Sequence, residues 1–223
     1  MGVVVVAAGS GTRLGADRPK AFVELAGATI LEHALRGVLA AGPAEVVLVV
    51  PQAQLAPARQ IVDRVPAQDV GVAVVAGGAE RTESVGRGLD ALSERVTMVL
   101  VHDAARCLTP VEVFDRVVAA VAAGAAGAIP GLPVVDTIKV VDERGVITST
   151  PVRESLRAVQ TPQGFDRAVL AAAHAAGVLA TDDAALVEAL GHDVIVVEGD
   201  PRALKITTPE DLARAERLLA ASG

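Results

Sequence analysis

Runs of apolar, mostly β-branched residues alternate along the chain with longer stretches in which apolar and charged residues recur at helical spacing. The short runs predict strands buried on both faces, which need not alternate in polarity: Val3–Ala7, Val46–Val50, Val72–Val75, Met98–His102, Gly127–Ile129 and Val194–Val197. The longer stretches predict helices at Thr29–Ala41, Arg81–Ala91, Pro110–Ala123, Asp182–Leu190 and Pro209–Ala221. Strands that alternate with helices predict an α/β fold of three layers, with a mostly parallel sheet between helices.

The segment from Val134 to Thr150 departs from this pattern, because apolar and polar residues roughly alternate around Asp142-Glu143-Arg144-Gly145. Alternation around a turn that contains glycine predicts a β-hairpin. We expect one domain over residues 1–223, from which an arm projects at about residues 133–154. A half-apolar, projecting arm favours dimerisation; the alternative is a hairpin that packs back on its own domain.

Composition excludes several classes of function. A length of 223 residues predicts a single domain. The net charge of −7 excludes general nucleic-acid binding. The chain has only three aromatic residues, all Phe, so a nucleotide base would be read by backbone and small side chains.

No apolar run approaches the roughly 20 residues of a membrane span, and no secretory leader is expected. The single cysteine, Cys107, excludes a disulfide framework and predicts a reducing compartment, the cytoplasm.

Lysine is rare in this chain. Of the 20 basic residues only Lys20, Lys139 and Lys205 are lysines, so arginine is used almost wherever a cation is present. A lysine against that background indicates a position that needs a compact, flexible ammonium group and not a planar guanidinium.

The first predicted strand runs into a glycine-rich loop, Gly9-Ser10-Gly11-Thr12-Arg13, which is followed by Pro19-Lys20. The loop is not a Walker A sequence, and Leu14 stands where a dinucleotide-binding fingerprint requires its third glycine. The two glycines allow backbone N–H groups to face an anion, and the arginine and lysine add positive charge. Because open α/β sheets bind ligands at the carboxyl ends of their strands, the loop predicts a polyphosphate site. The pattern is similar to that of nucleotidyltransferases that activate sugars.

Later segments narrow this resemblance. They are Gly77-Gly78-Ala79-Glu80-Arg81-Thr82-Glu83-Ser84-Val85, Val101-His102-Asp103-Ala104-Ala105-Arg106, Asp136-Thr137-Ile138-Lys139, Thr161-Pro162-Gln163, Thr181-Asp182-Asp183-Ala184 and Lys205-Ile206-Thr207. In this order and spacing they resemble the 2-C-methyl-D-erythritol 4-phosphate cytidylyltransferase family over nearly the whole chain. The resemblance implies a Rossmann-like nucleotidyltransferase fold.

The resemblance also implies a reaction. CTP and methylerythritol phosphate would give the CDP-alcohol and pyrophosphate, by in-line attack of the acceptor phosphate on the α-phosphate of CTP. Two polyanions have to meet, so catalysis is expected to rest on positioning and charge stabilisation. The family uses Mg²⁺ and is expected to act as a homodimer, with the arm reaching the neighbouring site.

Residue roles follow by similarity. The catalytic group would be Arg13, Lys20, Arg153 and Lys205. The nucleotide would be bound by Ala7, Ala8, Gly9, Gly11, Thr12, Gly78, Arg81, Ser84 and Ala104. The acceptor would be held by Arg106, Thr137, Arg153, Thr181 and Lys205, and the metal by Asp103.

The chain departs from the family at Ala79, where an acidic residue is frequent, and at Ala203, where an asparagine is frequent. Neither change removes a phosphate ligand, but both bear on ribose contacts and local hydrogen bonding.

The sequence leaves two alternative functions open. One is a ribitol-5-phosphate cytidylyltransferase, and the other is a nucleotide-sensing module without catalysis.

Overall fold

Alternate valines of the first strand point into two different cores. Val3 and Val5 belong to one buried cluster and Val4 belongs to the other, because successive side chains on a strand face opposite sides of the sheet.

The computed structural model describes residues 1–9, 18–67, 69–177 and 180–221. The predicted loop residues Gly11, Thr12 and Arg13 lie outside the described residues.

The strands are β1 (Gly2–Val6), β2 (Glu24–Leu25), β3 (Ala28–Thr29), β4 (Glu45–Val50), β5 (Gly71–Ala76), β6 (Met98–Asp103), β7 (Gly127–Pro133), β8 (Val140–Val141), β9 (Ile147–Ser149), β10 (Arg157–Val159), β11 (Gln163–Asp166) and β12 (Val194–Glu198). The helices are α1 (Ile30–Ala40), α2 (Leu55–Arg64), α3 (Arg81–Asp90), α4 (Val111–Ala122), α5 (Arg167–Ala175), α6 (Asp183–Ala189) and α7 (Pro209–Ala220). Every strand and helix predicted from the hydrophobic pattern is present, with bounds that shift by a few residues at most.

The main sheet runs in the order β10-β7-β11-β6-β1-β4-β5, and β12 pairs with β7. The pairings β1–β4, β1–β6, β4–β5 and β7–β12 are parallel, whereas β10 and β11 run antiparallel to their neighbours. One core contains residues of α1, α2, α4 and α7, and the other contains residues of α3, α5 and α6. The mostly parallel, three-layer α/β architecture is therefore confirmed.

Several elements were not anticipated. The hydrophobic pattern does not predict α2, α5, β10, β11 or the short β2–β3 pair. The strand β11 carries Gln163, Gly164 and Asp166, so it lacks the apolar run of a buried strand. It forms a strand because it pairs with β6 on one side and β7 on the other.

The arm is a separate two-stranded antiparallel sheet of β8 and β9. Its turn falls where the sequence placed it: the N–H of Gly145, which has φ +79°, donates to the carbonyl of Asp142 at 3.0 Å. Apolar side chains along and beside the arm are exposed in the single chain, among them Val135, Val141, Val146, Ile147 and Val152.

Candidate active site

A pocket of about 190 Å³ opens at the carboxyl ends of β1 and β6. These strands are parallel neighbours, with Val6 opposite Asp103, so the segments that follow them meet at one edge of the sheet. The loop after β5 closes one side, and Lys20 and Lys205 enter from other segments. This is the edge where open α/β sheets bind ligands.

Asp103 forms ion pairs with two cations of the pocket. Its Oδ2 accepts a hydrogen bond from Lys205 Nζ at 2.6 Å, and its Oδ1 lies 3.7 Å from Arg81 Nε. Burial alone would raise the pKa of Asp103, but the charges of Lys205 and Arg81 outweigh it and hold that pKa below its ordinary value. Asp103 is therefore a carboxylate near neutral pH.

Arg81, the first residue of α3, is held by two carboxylates. One of its terminal nitrogens donates to Asp183 Oδ2 at 2.8 Å, while its Nε faces Asp103. Burial would lower the pKa of Arg81, but the carboxylates of Asp183 and Asp103 raise it above its ordinary value. The Nε2 of His174 lies 3.0 Å from the other oxygen of Asp183.

The loop between β5 and α3 presents backbone to the pocket. Ser84 Oγ accepts from the N–H of Gly78 at 3.0 Å and donates to the carbonyl of Glu80 at 3.0 Å. The carboxylate of Glu83 accepts from the N–H of Ala79 at 2.9 Å. These side-chain hydrogen bonds hold the backbone of the loop in place beside the pocket.

Thr161 lies between β10 and β11 in the chain, and its side chain forms hydrogen bonds with the end of β6. Its Oγ1 accepts from the N–H of Asp103 at 3.0 Å and lies 3.1 Å from His102 Nδ1. Burial lowers the pKa of His102 to about 4, so this imidazole is neutral near pH 7. The peptide bond between Thr161 and Pro162 is cis.

Arg106 is bound to the backbone beside the pocket and does not line it. It donates to the carbonyls of Ala203 at 2.7 Å and Val159 at 3.1 Å. Its Nε is buried without a hydrogen-bond partner among the described residues. Burial lowers the pKa of Arg106, and Asp103 partly opposes that shift.

The pocket thus brings together most of the residues predicted to bind the nucleotide and the metal: Ala7, Ala8, Gly9, Gly78, Arg81, Ser84, Ala104 and Asp103. It also contains two residues of the predicted catalytic group, Lys20 and Lys205. In this single chain it does not include four residues predicted for the acceptor: Arg106, Thr137, Arg153 and Thr181. Arg153 lies beside the arm, where it donates to the carbonyl of Val135 at 2.9 Å.

The sequence patterns did not predict the contact of Asp183 with Arg81 or that of Thr161 with Asp103. The only signal for Asp183 was its place in the doublet Asp182-Asp183 at a helix start. Cys107 is buried, and burial raises the pKa of its thiol to about 12, which makes it unreactive near neutral pH.

A strand end that carries glycine, opposite a carboxylate and several cations on this α/β sheet, is suited to bind the phosphates of a nucleotide, as a nucleotidyltransferase requires. The family model described as IspD, 2-C-methyl-D-erythritol 4-phosphate cytidylyltransferase, matches residues 1–221. The chain belongs to this family.

Individual relatives agree. The chain is 52% identical to the 2-C-methyl-D-erythritol 4-phosphate cytidylyltransferase of Nocardia farcinica, across 97% of this chain and 92% of that one. It is 55% identical to a bifunctional IspD/IspF enzyme of Clavibacter michiganensis, where 99% of this chain spans 54% of the relative's length. A crystal structure of the cytidylyltransferase from Thermus thermophilus matches with a TM-score of 0.76 at 39% identity, covering 97% of this chain and 98% of that one.

In the part of the chain that the structure describes, no helix combines the length and the apolar character needed to cross a membrane.

Proposed function

We propose that the chain transfers the cytidylyl group of CTP to 2-C-methyl-D-erythritol 4-phosphate and releases pyrophosphate, a step in the synthesis of isoprenoid precursors. The observation that carries this proposal is the group of cations, Lys20, Arg81 and Lys205, around Asp103 at the carboxyl ends of β1 and β6. Membership of the cytidylyltransferase family supports the choice of substrates.

The reaction needs no covalent enzyme intermediate. An oxygen of the acceptor phosphate attacks the α-phosphorus of CTP, and the bond from that phosphorus to the bridging oxygen of pyrophosphate breaks. Negative charge moves onto the leaving pyrophosphate, so cations fixed beside it lower the barrier. Lys20 and Lys205 are suited to this, because an ammonium group is a compact point charge with three hydrogen-bond donors.

The nucleotide would lie with its base against the backbone of Ala7, Ala8 and Gly78. Ser84 already orders the backbone at Gly78 through a hydrogen bond, which supports a preformed base site. Arg81 would hold the phosphates. Recognition through backbone groups is consistent with a chain that contains three Phe and no Trp or Tyr.

The donor set also fits Mg²⁺. Asp103 is a single ionised carboxylate in the pocket, and Mg²⁺ in nucleotide enzymes is bound by one or two carboxylates together with substrate phosphates and water. Within the described residues no group of three or more His, Cys, Asp and Glu could hold a metal ion alone. The triphosphate would therefore supply other ligands, and the bound ion would neutralise phosphate charge.

The acceptor residues would be completed by a second copy of the chain. Thr137 and Arg153 flank the arm and do not line the pocket of their own chain, and Arg106 and Thr181 do not line it either. The exposed apolar side chains of the arm support a homodimer in which the arm reaches the neighbouring pocket.

Pyrophosphate release from CTP tests this function, with methylerythritol phosphate and ribitol phosphate offered in parallel, with Mg²⁺ and in excess chelator. We expect a strong preference for methylerythritol phosphate and loss of turnover in chelator. Lys20→Met should lower kcat by about 10²–10³, as loss of one charge-stabilising donor does. The control is Arg59→Met, which removes an exposed cation of α2 that does not line the pocket. Preference for ribitol phosphate, or no turnover with either acceptor, would contradict the proposal.

A further inference from the structure

Asp183 is a fully buried carboxylate behind the nucleotide pocket. It is the first residue of α6 and does not line the pocket itself. Arg81 donates to its Oδ2 at 2.8 Å, and His174 Nε2 lies 3.0 Å from its Oδ1. The two oxygens are therefore engaged from opposite partners, which fixes the plane of the carboxylate.

This carboxylate is not needed to begin the helix. The N-cap of α6 is Asp182, which accepts from the N–H of Ala185 at 3.0 Å and from the side-chain amide of Gln163 at 2.9 Å. A buried charge is costly to the fold unless it is paired, and well-packed apolar residues frequently replace such pairs at no loss of stability. The position of Asp183 is better explained by what it does to Arg81.

The guanidinium of Arg81 is held at two points. Asp183 binds one terminal nitrogen and Asp103 faces Nε at 3.7 Å, and the side chain stays 29% exposed toward the pocket. A free arginine loses much rotational freedom when it binds an anion, and a side chain that is already ordered loses less. Two anchors on a planar group also set the direction of the remaining N–H donors.

We propose that Asp183 is a positioning residue, which orders the Arg81 guanidinium for the triphosphate of CTP, and that His174 fixes Asp183. The inference rests on the proposed function, since it concerns how CTP is bound. Because Arg81 would hold the nucleotide before and during reaction alike, the loss of Asp183 weakens binding without slowing the chemical step.

The test compares Asp183→Asn with Asp90→Asn. The first keeps the shape and one acceptor oxygen but removes the charge that holds Arg81. The second makes the same chemical change at an exposed residue, the last of α3, which does not line the pocket. We expect the KM for CTP to rise about tenfold in Asp183→Asn with kcat within about twofold, and both constants to stay within about twofold in Asp90→Asn. An unchanged KM in Asp183→Asn, or equal changes in the two variants, would overturn the proposal.

A double-mutant cycle separates positioning from a general loss of structure. In an Arg81→Ala background, Asp183→Asn should add less than about twofold to the KM for CTP, because the residue through which it acts is gone. Independent effects that multiply would show that Asp183 does not act through Arg81.

Should Asp183→Asn fail to fold, His174→Gln perturbs the same carboxylate from the other side. It should raise the KM for CTP by a smaller factor with kcat unchanged, and an unaltered KM there counts against the proposal.

A readout without turnover keeps the two proposals apart. In ¹⁵N NMR spectra, the Nε–H signal of Arg81 is assigned by its absence in Arg81→Ala. We expect this signal to shift or broaden in Asp183→Asn and to stay in place in Asp90→Asn. If wild-type protein releases no pyrophosphate, the proposed function fails while the NMR comparison still decides the role of Asp183. An Arg81 signal unaffected by Asp183→Asn would overturn the positioning role whatever the activity.

Discussion

At the scale of single residues, the ion pair between Asp103 and Lys205 helps to keep the buried carboxyl of Asp103 ionised. Burial of Asp103 favours the neutral acid, and Lys205 is one of two cations that prevent this. A carboxyl whose folded pKa lies below its unfolded value stabilises the fold above the unfolded pKa, and this stabilisation is lost as the pH falls through the folded pKa.

Lys205→Gln should therefore destabilise the protein in a pH-dependent manner. Near pH 7 we expect a loss of about 1 kcal/mol in the free energy of unfolding, because the lysine is 44% exposed and solvent screens the pair. Without the lysine the pKa of Asp103 rises, so the variant protonates Asp103 first as the pH falls. The difference from wild type should narrow as the pH falls toward the folded pKa of wild-type Asp103, which lies below 3.8, the ordinary pKa of aspartate. Urea unfolding across this range measures it.

The control for this experiment is Lys139→Gln, which removes an exposed lysine that donates to Thr150 Oγ1 on the arm. Its free energy of unfolding should follow wild type at every pH. A difference for Lys205→Gln that stays constant between pH 7 and pH 3 would show that Lys205 does not influence the ionisation of Asp103.

The sequence predicts those pocket-lining residues that a local motif or their scarcity marks. Lys20 and Lys205 stand out because lysine is rare, and both line the pocket. Asp183 was not reached, because its partner Arg81 lies 102 positions away and only the fold brings them together. The residues next to Asp183 in the sequence therefore give no indication of its contact with Arg81.

At the scale of elements, the hydrophobic pattern predicted those strands whose side chains are buried by both helical layers. The strand β1 is the clearest case, since its valines enter both cores. The strand β11 could not be found this way, because its place depends on two neighbouring strands and on a close approach of α4.

The close approach at Gly164 is testable. A Cβ built there would lie 2.5 Å from Val117 Cγ1 of α4 and 2.6 Å from Leu100 Cδ2 of β6, and both neighbours are fully buried. Gly164→Ala should therefore lower the free energy of unfolding by about 1–3 kcal/mol, the usual result of overpacking a core. Chemical denaturation measures this loss.

The matched control is Gly86→Ala within α3, where a Cβ would meet nothing within 4 Å. Alanine is the better helix former, so this variant should be up to about 1 kcal/mol more stable than wild type. If both alanines stabilise the protein, the packing of β11 against α4 is looser than the structure indicates.

At the scale of the whole molecule, the arm is the feature that a single chain leaves unexplained. Its two strands pair with each other, and apolar side chains such as Val141, Val146 and Ile147 remain exposed. The alternation of residues predicted the hairpin itself, but it could not predict what the hairpin contacts, because partner surfaces are absent from a pattern within one chain. The proposed homodimer gives the exposed side chains a partner and places Arg153 at a neighbouring pocket.

A mixture of two inactive variants tests whether the pocket is shared between chains. Lys20→Met should disable the pocket of its own chain, and Arg153→Ala should disable the pocket of its partner. When the two proteins are unfolded, mixed and refolded together, a mixed dimer has one pocket with an intact Lys20 and an intact Arg153 from the other chain. Random pairing in a twofold dimer then restores about a quarter of the wild-type turnover. If each pocket is built from one chain, mixing restores nothing, because every chain carries a defect in its own pocket. Sedimentation of the mixture shows whether dimers formed, so an inactive mixture of dimers would assign Arg153 to its own chain.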